Sequence, residues 1–154
     1  DKLTELPKEI YKLENLTHLS IVGNGKTEPK PEDITELPKE LYQLTKLTHL
    51  TFVETNIKSI PKGISALQNL IELELGSNDL ELIPEEIGKL VNLEKLALGG
   101  NGMIKANKFV QLPASIENLK NLKILDVTDG YYRKSYLEEI PREVLSMPNL
   151  EVKQ

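Results

Sequence analysis

The chain has no cysteine, and none of its apolar runs approaches the length of a membrane-spanning helix. Without cysteine the protein can have no disulfide bonds and no thiolate metal sites. A transmembrane helix needs about 18 or more consecutive apolar residues, so the sequence predicts a water-soluble chain with no membrane span. Neither absence separates a cytoplasmic protein from a secreted or cell-surface one, and the sequence leaves the compartment open.

The sequence also lacks a basic stripe. Its 19 basic and 24 acidic residues give a net charge of −5 and are spread evenly along the chain. Nucleic-acid-binding proteins concentrate basic residues on one face, so we expect no nucleic-acid partner. No glycine-rich phosphate loop, nucleophile elbow or well-spaced Ser/His/Asp set is present. The sequence therefore shows no catalytic motif of these kinds and gives no reason to expect a cofactor.

What the sequence does contain is a repeat, and the stretch Leu70–Leu93 shows it most plainly. It reads LIELELGSNDLELIPEEIGKLVNL, with leucine or isoleucine at positions 70, 73, 75, 80, 83, 87, 90 and 93. This spacing follows neither the helical period of 3.6 nor the strand period of 2 over its whole length. It predicts one coil of a solenoid, in which a short strand is followed by an asparagine turn and then a helical turn that begins with proline.

The same coil recurs along the whole chain. Its first strand leucine falls at positions 16, 47, 70, 93, 122 and 150, at intervals of 31, 23, 23, 29 and 28 residues. Against a unit of 23 residues, three repeats carry insertions of 8, 6 and 5 residues. We therefore predict a single domain over residues 1–154, with about five full repeats and a partial repeat at each end.

Each half of the repeat has a physical role. The strand leucines are expected to point into the coil, and proline suits the first helical position because its missing N–H would be unpaired there. An asparagine follows the strand in three repeats, at Asn24, Asn78 and Asn101, where its amide can form a buried ladder between coils. Thr55 and Gly130 take this place in the other two repeats, and Gly130 is expected to break the ladder.

The pattern LxxLxLxxNxLxxLPxxIxxLxxL resembles the 23-residue leucine-rich repeat family, in the LPxxI variety common in bacterial proteins. The resemblance spans essentially the whole chain, and LELIPEEIGKLVNLEKLAL carries it nearly unbroken. It implies a right-handed α/β solenoid shaped like a horseshoe, with a parallel β-sheet on the concave side and short helical or 3-10 turns on the convex side. It also implies a function in protein recognition on the concave face, without catalysis.

Two features predict where a protein partner binds. Residues between the strand leucines should face the concave surface, since side chains alternate across a strand. The insertions, including YYRKSY near residue 131, leave the coil just after the strand and should line one edge of the solenoid. Tyrosine and arginine are common in binding hot spots. The predicted partner-binding residues are Tyr131, Tyr132, Arg133, His18, His49, Glu72, Glu74, Lys95 and Asp126.

Three alternatives remain open at the level of sequence. The chain begins and ends in mid-repeat, so it could be the recognition segment of a larger effector, adhesin or signalling protein. A metal-dependent hydrolase could use His18, His49 and Glu72, although duplication of the THL motif explains the paired histidines without a metal. Uncapped solenoid ends expose strand edges, so a homodimer through one end is also expected.

Overall fold

The computed structural model describes residues 6–23, 34–100, 105–131 and 135–154. Six short parallel strands form one sheet, in which the spatial order is the order along the chain. The strands are β1 (His18–Val22), β2 (His49–Val53), β3 (Glu72–Glu74), β4 (Lys95–Ala97), β5 (Ile124–Asp126) and β6 (Glu151–Lys153). We number each coil of the solenoid by its strand. The predicted sheet is confirmed, and each strand is separated from the next by one full coil.

The strands pair without any register slip. Leu50, Leu73, Leu96 and Leu125 lie opposite one another on successive strands, and all four are fully buried. The corresponding residues of the first and last strands, Leu19 and Val152, are only partly buried. A coil therefore buries its apolar residues against its two neighbours, as expected for a solenoid in which stability is the sum of neighbouring interfaces.

The turns on the other side of each coil are mostly 3-10 helices of five residues. They are Lys8–Lys12, Lys39–Gln43, Lys62–Ala66, Glu85–Lys89 and Ala114–Asn118, whereas the turn of the fifth coil is a short α-helix, α1 (Arg142–Leu145). The prediction of short helical or 3-10 turns is confirmed. In each of the five 3-10 turns one apolar side chain, such as Ile64 or Ile87, points into the core or is partly covered by it.

The prolines stand one position earlier than predicted. Pro84, for example, precedes the helix with an extended conformation, φ −75° and ψ 150°. Its carbonyl accepts the first 3-10 hydrogen bond, from the Ile87 N–H at 3.1 Å. The expectation of proline at the first helical position was therefore wrong by one residue. Proline still suits the place, because it fixes φ near −65° and supplies the carbonyl while needing no hydrogen-bond partner for its own nitrogen.

Asn78 forms the predicted buried ladder between the second and third coils. Its Nδ2 donates to the carbonyls of Phe52 at 2.6 Å and Leu75 at 3.0 Å. Its Oδ1 accepts from the backbone N–H groups of Thr55 at 2.9 Å and Ile57 at 3.3 Å. One amide thus satisfies buried backbone groups of two coils at the bend where the strand ends, which would otherwise be left unpaired.

In the fourth coil the ladder residue is Asn107. Its Nδ2 donates to the carbonyls of Leu75 and Leu98, at 2.9 and 2.6 Å, and its Oδ1 accepts from the Leu80 N–H at 3.0 Å. These contacts repeat those of Asn78 one coil further on. Asn24 and Asn101 lie outside the described residues. Residues 105–107, which belong to the insertion that follows β4, are buried.

A second set of asparagines, which sequence analysis missed, stands just before every strand except β2. Asn69, Asn92 and Asn121 each donate an Nδ2 hydrogen bond to a carbonyl of the preceding coil, at 2.8, 2.8 and 2.9 Å. The signal was available in the sequence, because asparagine precedes the first strand leucine in five of the six repeats. These amides are exposed, so they fix the entry to the strand with little effect on the core.

Candidate recognition surface

The concave face of the sheet consists of the strand residues that alternate with the buried leucines. In β3, β4 and β5 the outer two residues are partly exposed and the middle one is buried. Along the sheet, His18, His49, Glu72 and Lys95 lie opposite one another in one column, followed by Ile124. The structure therefore brings the predicted concave residues together in the predicted register.

The two histidines stack at the first two strands. Their ring centroids are 4.2 Å apart and the ring planes differ by 8°. The Thr48 hydroxyl donates to the Thr17 carbonyl at 3.0 Å. Since that hydroxyl has a single hydrogen, the 2.9 Å contact between Thr48 Oγ1 and His49 Nδ1 requires the imidazole to donate. This arrangement leaves Nε2 of His49 facing the Glu72 carboxylate, 3.8 Å away.

A cluster of three charges occupies the centre of the concave face. Lys95 Nζ lies 2.5 Å from Glu74 Oε1 and 3.8 Å from Glu72 Oε2. Thr51 donates its hydroxyl to the other oxygen of Glu74 at 3.2 Å. The hydrogen bond that Lys95 donates to Glu74 raises the pKa of Lys95; partial burial opposes this, and the charges of Glu74, Glu72 and Asp126 add to the rise. One ammonium and two carboxylates leave the centre with one net negative charge, so Lys95 offsets one of the two glutamates.

Asp126 extends this surface at the fifth strand. Its carboxylate accepts a hydrogen bond from the Thr128 N–H at 3.0 Å and lies 2.8 Å from the Thr128 hydroxyl. The carboxylate is thereby held in one orientation next to the end of the strand, while Asp126 itself stays partly exposed. One fixed carboxylate is thus available beside the central ion cluster.

The coils approach one another most closely at the edge where the strands end. A Cβ on Gly76 would lie 2.5 Å from the Gly99 carbonyl oxygen, and a Cβ on Gly99 would lie 2.4 Å from the Thr128 nitrogen. Contacts this short are not tolerated between a side chain and a backbone. Glycine at these positions therefore permits the backbone contact between the third, fourth and fifth coils.

A buried ion pair lies beneath this edge. Lys105 Nζ donates to Asp79 Oδ2 at 2.6 Å and to Asn56 Oδ1 at 3.0 Å, and Lys108 Nζ lies 3.0 Å from the other oxygen of Asp79. The side chains of Lys105 and Asp79 are only 5% and 2% exposed. Sequence analysis missed this cluster, because the lysine comes from an insertion and its partners come from the two preceding coils.

The predicted tyrosine loop is only partly described. Tyr131 is 77% exposed, which fits a residue that contacts a partner. Tyr132 and Arg133 lie outside the described residues. Tyr136, at the far end of the same insertion, is also exposed, and the Leu137 N–H donates to the Ser135 hydroxyl at 3.0 Å as the chain re-enters the coil.

Within the described parts of the chain, no group of three or more His, Asp or Glu side chains is arranged to hold a metal ion. The stacked imidazoles of His18 and His49 are nearly parallel, so their nitrogen lone pairs do not converge on one point. The same described ranges contain no helix long and apolar enough to cross a membrane.

With the geometry known, the comparisons with known proteins define the class. The profile of a family described as leucine-rich repeat region matches residues 1–152. The chain therefore belongs to the leucine-rich repeat family, whose regions typically serve as interaction modules. No protein of curated function matches the sequence.

Solved structures agree with this class. A leucine-rich repeat protein of Leptospira interrogans is 33% identical with a TM-score of 0.72, over 98% of this chain and 40% of its own. Two Arabidopsis thaliana receptor kinase ectodomains share the fold. GASSHO1/SCHENGEN3, solved in complex with CASPARIAN STRIP INTEGRITY FACTOR 2, is 24% identical with a TM-score of 0.61, over 96% of this chain and 19% of its own. SOBIR1 is 23% identical with a TM-score of 0.66, over 89% and 67%.

Proposed function

We propose that this protein is a non-enzymatic module that binds a protein partner through its concave sheet and the insertion-bearing edge next to it. The observation that carries the proposal is the column of exposed and partly exposed concave side chains, held in strand register from His18 to Lys95. A rigid row of polar side chains spaced about 4.8 Å apart offers directed contacts to an extended protein surface. The sheet needs no rearrangement to present them.

The chemistry of this surface favours a partner with mixed polar contacts. Lys95 offsets one of the two glutamate charges, so a partner meets only a small net charge at the centre of the face. Partly exposed hydrogen-bonding groups, namely His49, Thr51 and Asp126, flank that cluster on both sides. Tyr131 adds a large exposed ring at the edge. Aromatic anchors surrounded by polar groups are typical of energetic hot spots.

The structural relatives support the same kind of function. The GASSHO1/SCHENGEN3 ectodomain was solved in complex with CASPARIAN STRIP INTEGRITY FACTOR 2, which shows that this solenoid can hold a partner in that protein. At 24% identity the likeness shows the fold alone, so no contact residue is transferred from it. For this chain the predicted contacts are Tyr131, Tyr132, Arg133, His18, His49, Glu72, Glu74, Lys95 and Asp126.

Affinity capture of partners from the native source tests the proposal. The chain would be immobilised beside the double variant Tyr131→Ala/Tyr132→Ala and the matched variant Tyr136→Ala, which changes a tyrosine at the far end of the same insertion. We expect a specific partner to be retained by the wild type and by Tyr136→Ala, and to be lost or weakened about tenfold or more with the double variant. Equal retention by all three would remove the loop from the site.

A second arm tests the concave face. Thr51→Ala/Glu74→Gln removes a hydroxyl and a negative charge from its centre, whereas Glu81→Gln removes the charge of an exposed carboxylate outside that face. We expect only the first variant to weaken capture. If neither the loop variant nor the concave variant affects the partner, the proposed surface is wrong.

The second candidate function is a recognition segment of a larger protein whose activity lies elsewhere. The observation that favours it is coverage, because this chain spans 40% of the length of the Leptospira relative. Reading the gene on both sides of the 154 residues tests this candidate. A further domain in the same reading frame would support it, and stop and start codons close to the two ends would contradict it.

We also propose that the chain can pair through its first strand. The outermost strand β1 reads HLSIV, with no charged residue apart from its histidine, whereas β6 at the other edge reads EVK. Charges protect an edge strand from association and their lack invites it. Light scattering at increasing concentration should show a dimer that Ser20→Lys abolishes, and a wild-type chain that stays monomeric at high concentration would refute the pairing.

A further inference from the structure

We propose that Lys105 is a positioning residue that presents Tyr131 to the partner, although it is itself too buried to touch one. This inference rests on the proposed function and extends it, since it names the residue that organises the binding edge. The argument has three links: the anchor of Lys105, the segment attached to it, and the contact of that segment with the chain just before Tyr131.

The first link is the anchor. The Lys105 ammonium reaches the carboxylate of Asp79 and the amide of Asn56, at 2.6 and 3.0 Å, which belong to the third and second coils. The lysine side chain is 5% exposed. A buried ammonium is stable only when it is paired and hydrogen-bonded, so the lysine cannot leave this place without a large cost. The insertion of the fourth coil is thereby fixed to two earlier coils.

The second link is the segment that follows, residues 105–109, which we call the strap. Asn107 is fixed in the asparagine ladder by three hydrogen bonds. The Lys108 N–H donates to the Leu80 carbonyl at 2.8 Å, and Phe109 is buried in the core. The strap is therefore held by Lys105 at its start and by ladder and core contacts over the rest of its length.

The third link joins the strap to the tyrosine. A Cβ on Gly130 would lie 2.4 Å from the Ala106 nitrogen and 2.5 Å from the Lys105 Cα. The backbone at Gly130 therefore rests directly on the strap, and Tyr131 is the next residue. Just before it, the Gly100 N–H donates to the Thr128 carbonyl at 2.6 Å. Tyr131 thus projects from a backbone supported on one side by the strap.

This geometry also explains why Gly130 is a glycine, a position at which the sequence pattern shows only that the ladder asparagine is missing. Gly130 takes the place of a ladder asparagine and cannot form that bond. The structure shows that it is instead the point where the fifth coil contacts the strap, and that any side chain there would displace the strap. A contact between two backbones transmits a shift of one to the other, because packed segments have no free space to absorb it.

The chain contains no tryptophan, so Tyr131→Trp places a single indole at the edge as a fluorescent reporter. We would compare Lys105→Met with Lys108→Met in this background. Both lysines pair with Asp79, but Lys108 is 37% exposed and its side chain does not anchor the start of the strap. Lys105→Met should lower the indole anisotropy and speed amide exchange at residues 130 and 131 by about tenfold or more, whereas Lys108→Met should leave both unchanged.

Gly130→Ala perturbs the contact between the strap and the fifth coil from the side of the fifth coil. It therefore still tests the positioning role if Lys105→Met does not fold. It should produce the same loss of anisotropy, while circular dichroism confirms that the sheet is intact. Unchanged anisotropy and exchange in a folded Lys105→Met or Gly130→Ala chain would overturn the positioning role.

The partner arm separates this inference from the proposed function. With the partner captured by the wild type, Lys105→Met should weaken binding about as much as Tyr131→Ala, and Lys108→Met should not. If the indole anisotropy responds to Lys105→Met but Tyr131→Ala binds the partner normally, the loop has no role in recognition. The coupling between Lys105 and the backbone at Tyr131 is then still supported. If Tyr131→Ala weakens binding but Lys105→Met changes neither reporter nor binding, the proposed function stands and the positioning role fails.

Discussion

Two lysine–carboxylate clusters in this protein have nearly the same chemistry and very different surroundings. On the concave face Lys95 pairs with Glu74, and these side chains are 31% and 30% exposed. Beneath the strand-end edge Lys105 pairs with Asp79, at 5% and 2% exposure. The nitrogen–oxygen distances are 2.5 and 2.6 Å. Distance alone therefore does not distinguish the two pairs, and burial does.

Because the two ion pairs differ in burial, they are expected to contribute differently to the free energy of unfolding. A solvent-exposed ion pair contributes about 0–1 kcal/mol, because water competes for both charges. Breaking a buried pair costs about 3–5 kcal/mol, since the remaining charge is left in a poorly polar surrounding. The Lys95 cluster can therefore exchange its contacts for those of a partner at little cost. The Lys105 cluster can only serve the architecture that holds the edge in place.

The largest expected effect comes from removing the buried carboxylate. Asp79→Ala leaves the Lys105 ammonium without its carboxylate, and we expect the free energy of unfolding to fall by about 3–5 kcal/mol in urea denaturation. The matched change on the concave face, Glu74→Ala, should cost about 1 kcal/mol or less. Equal losses in the two variants would show that burial does not separate the clusters.

Substitutions in the two sets of asparagines should have a smaller effect on stability. They compare a buried neutral side chain with an exposed one, as the lysine pairs compare a buried charge with an exposed one. Asn107→Ala removes three buried hydrogen bonds and leaves backbone groups of two coils unpaired, so we expect a loss of about 2–3 kcal/mol. Asn121→Ala removes one exposed hydrogen bond, and the loss should be about 0.5 kcal/mol because water replaces the amide. Thermal unfolding of both variants measures the difference, and the reverse order would contradict the ladder.

The smallest expected effect is the pH dependence of the concave cluster. The pKa of Lys95 is raised above its ordinary value of 10.5, first by the hydrogen bond to Glu74. A raised pKa in the folded state means that the contribution to stability is complete below pH 10.5 and is lost as the pH rises through the folded value. Lys95→Met should therefore reduce the alkaline loss of stability, by less than about 1 kcal/mol for this partly exposed pair.

The alkaline pH dependence should be measured in a chain that also carries Tyr42→Phe, because Tyr42 titrates in the same pH range. Burial, and then the charge of Glu36, raises the pKa of Tyr42 from 10.0 to about 12, so stability from that group is lost between these two values as the pH rises. The Tyr42 hydroxyl is buried and has no hydrogen-bond partner in the described ranges, so Tyr42→Phe removes the titration without breaking a bond. If Lys95→Met leaves the alkaline denaturation curve of the Tyr42→Phe chain unchanged, the Lys95–Glu74 bond contributes nothing measurable to folding.

Sequence analysis predicted the sheet because every coil repeats the same apolar positions. The register from His18 to Lys95 follows from that repetition, as do the exposed concave columns. The ladder asparagine of the fourth coil was harder to predict, because two asparagines fit the motif. Asn101 stands at the regular distance after the strand, yet Asn107 makes the ladder bonds. A fixed spacing cannot show where an insertion of six residues begins and ends.

The proline position was misjudged for a related reason. The LPxxI motif locates the turn but not which carbonyl accepts its first hydrogen bond. In a 3-10 turn the acceptor stands three residues before the donor, which places Pro84 outside the helix that ends with Lys89. Local propensity fixes a turn to within a residue, and only the hydrogen bonds fix its start.

The amino-acid sequence by itself determined the leucine-rich repeat solenoid, the strand order and the residues that face the concave side. These follow from contacts between neighbouring coils, which a repeated pattern encodes at a constant separation along the chain. Only the tertiary structure decided the pairing of Lys95 with Glu74 at the centre of that face, the place of Asn107, and the burial of Lys105 against Asp79 and Asn56. Apart from the bond between Asn107 and Leu98, those contacts span 21 to 49 residues, and the contacts of Asn107 and Lys105 depend on how an irregular insertion folds back, which no local pattern specifies.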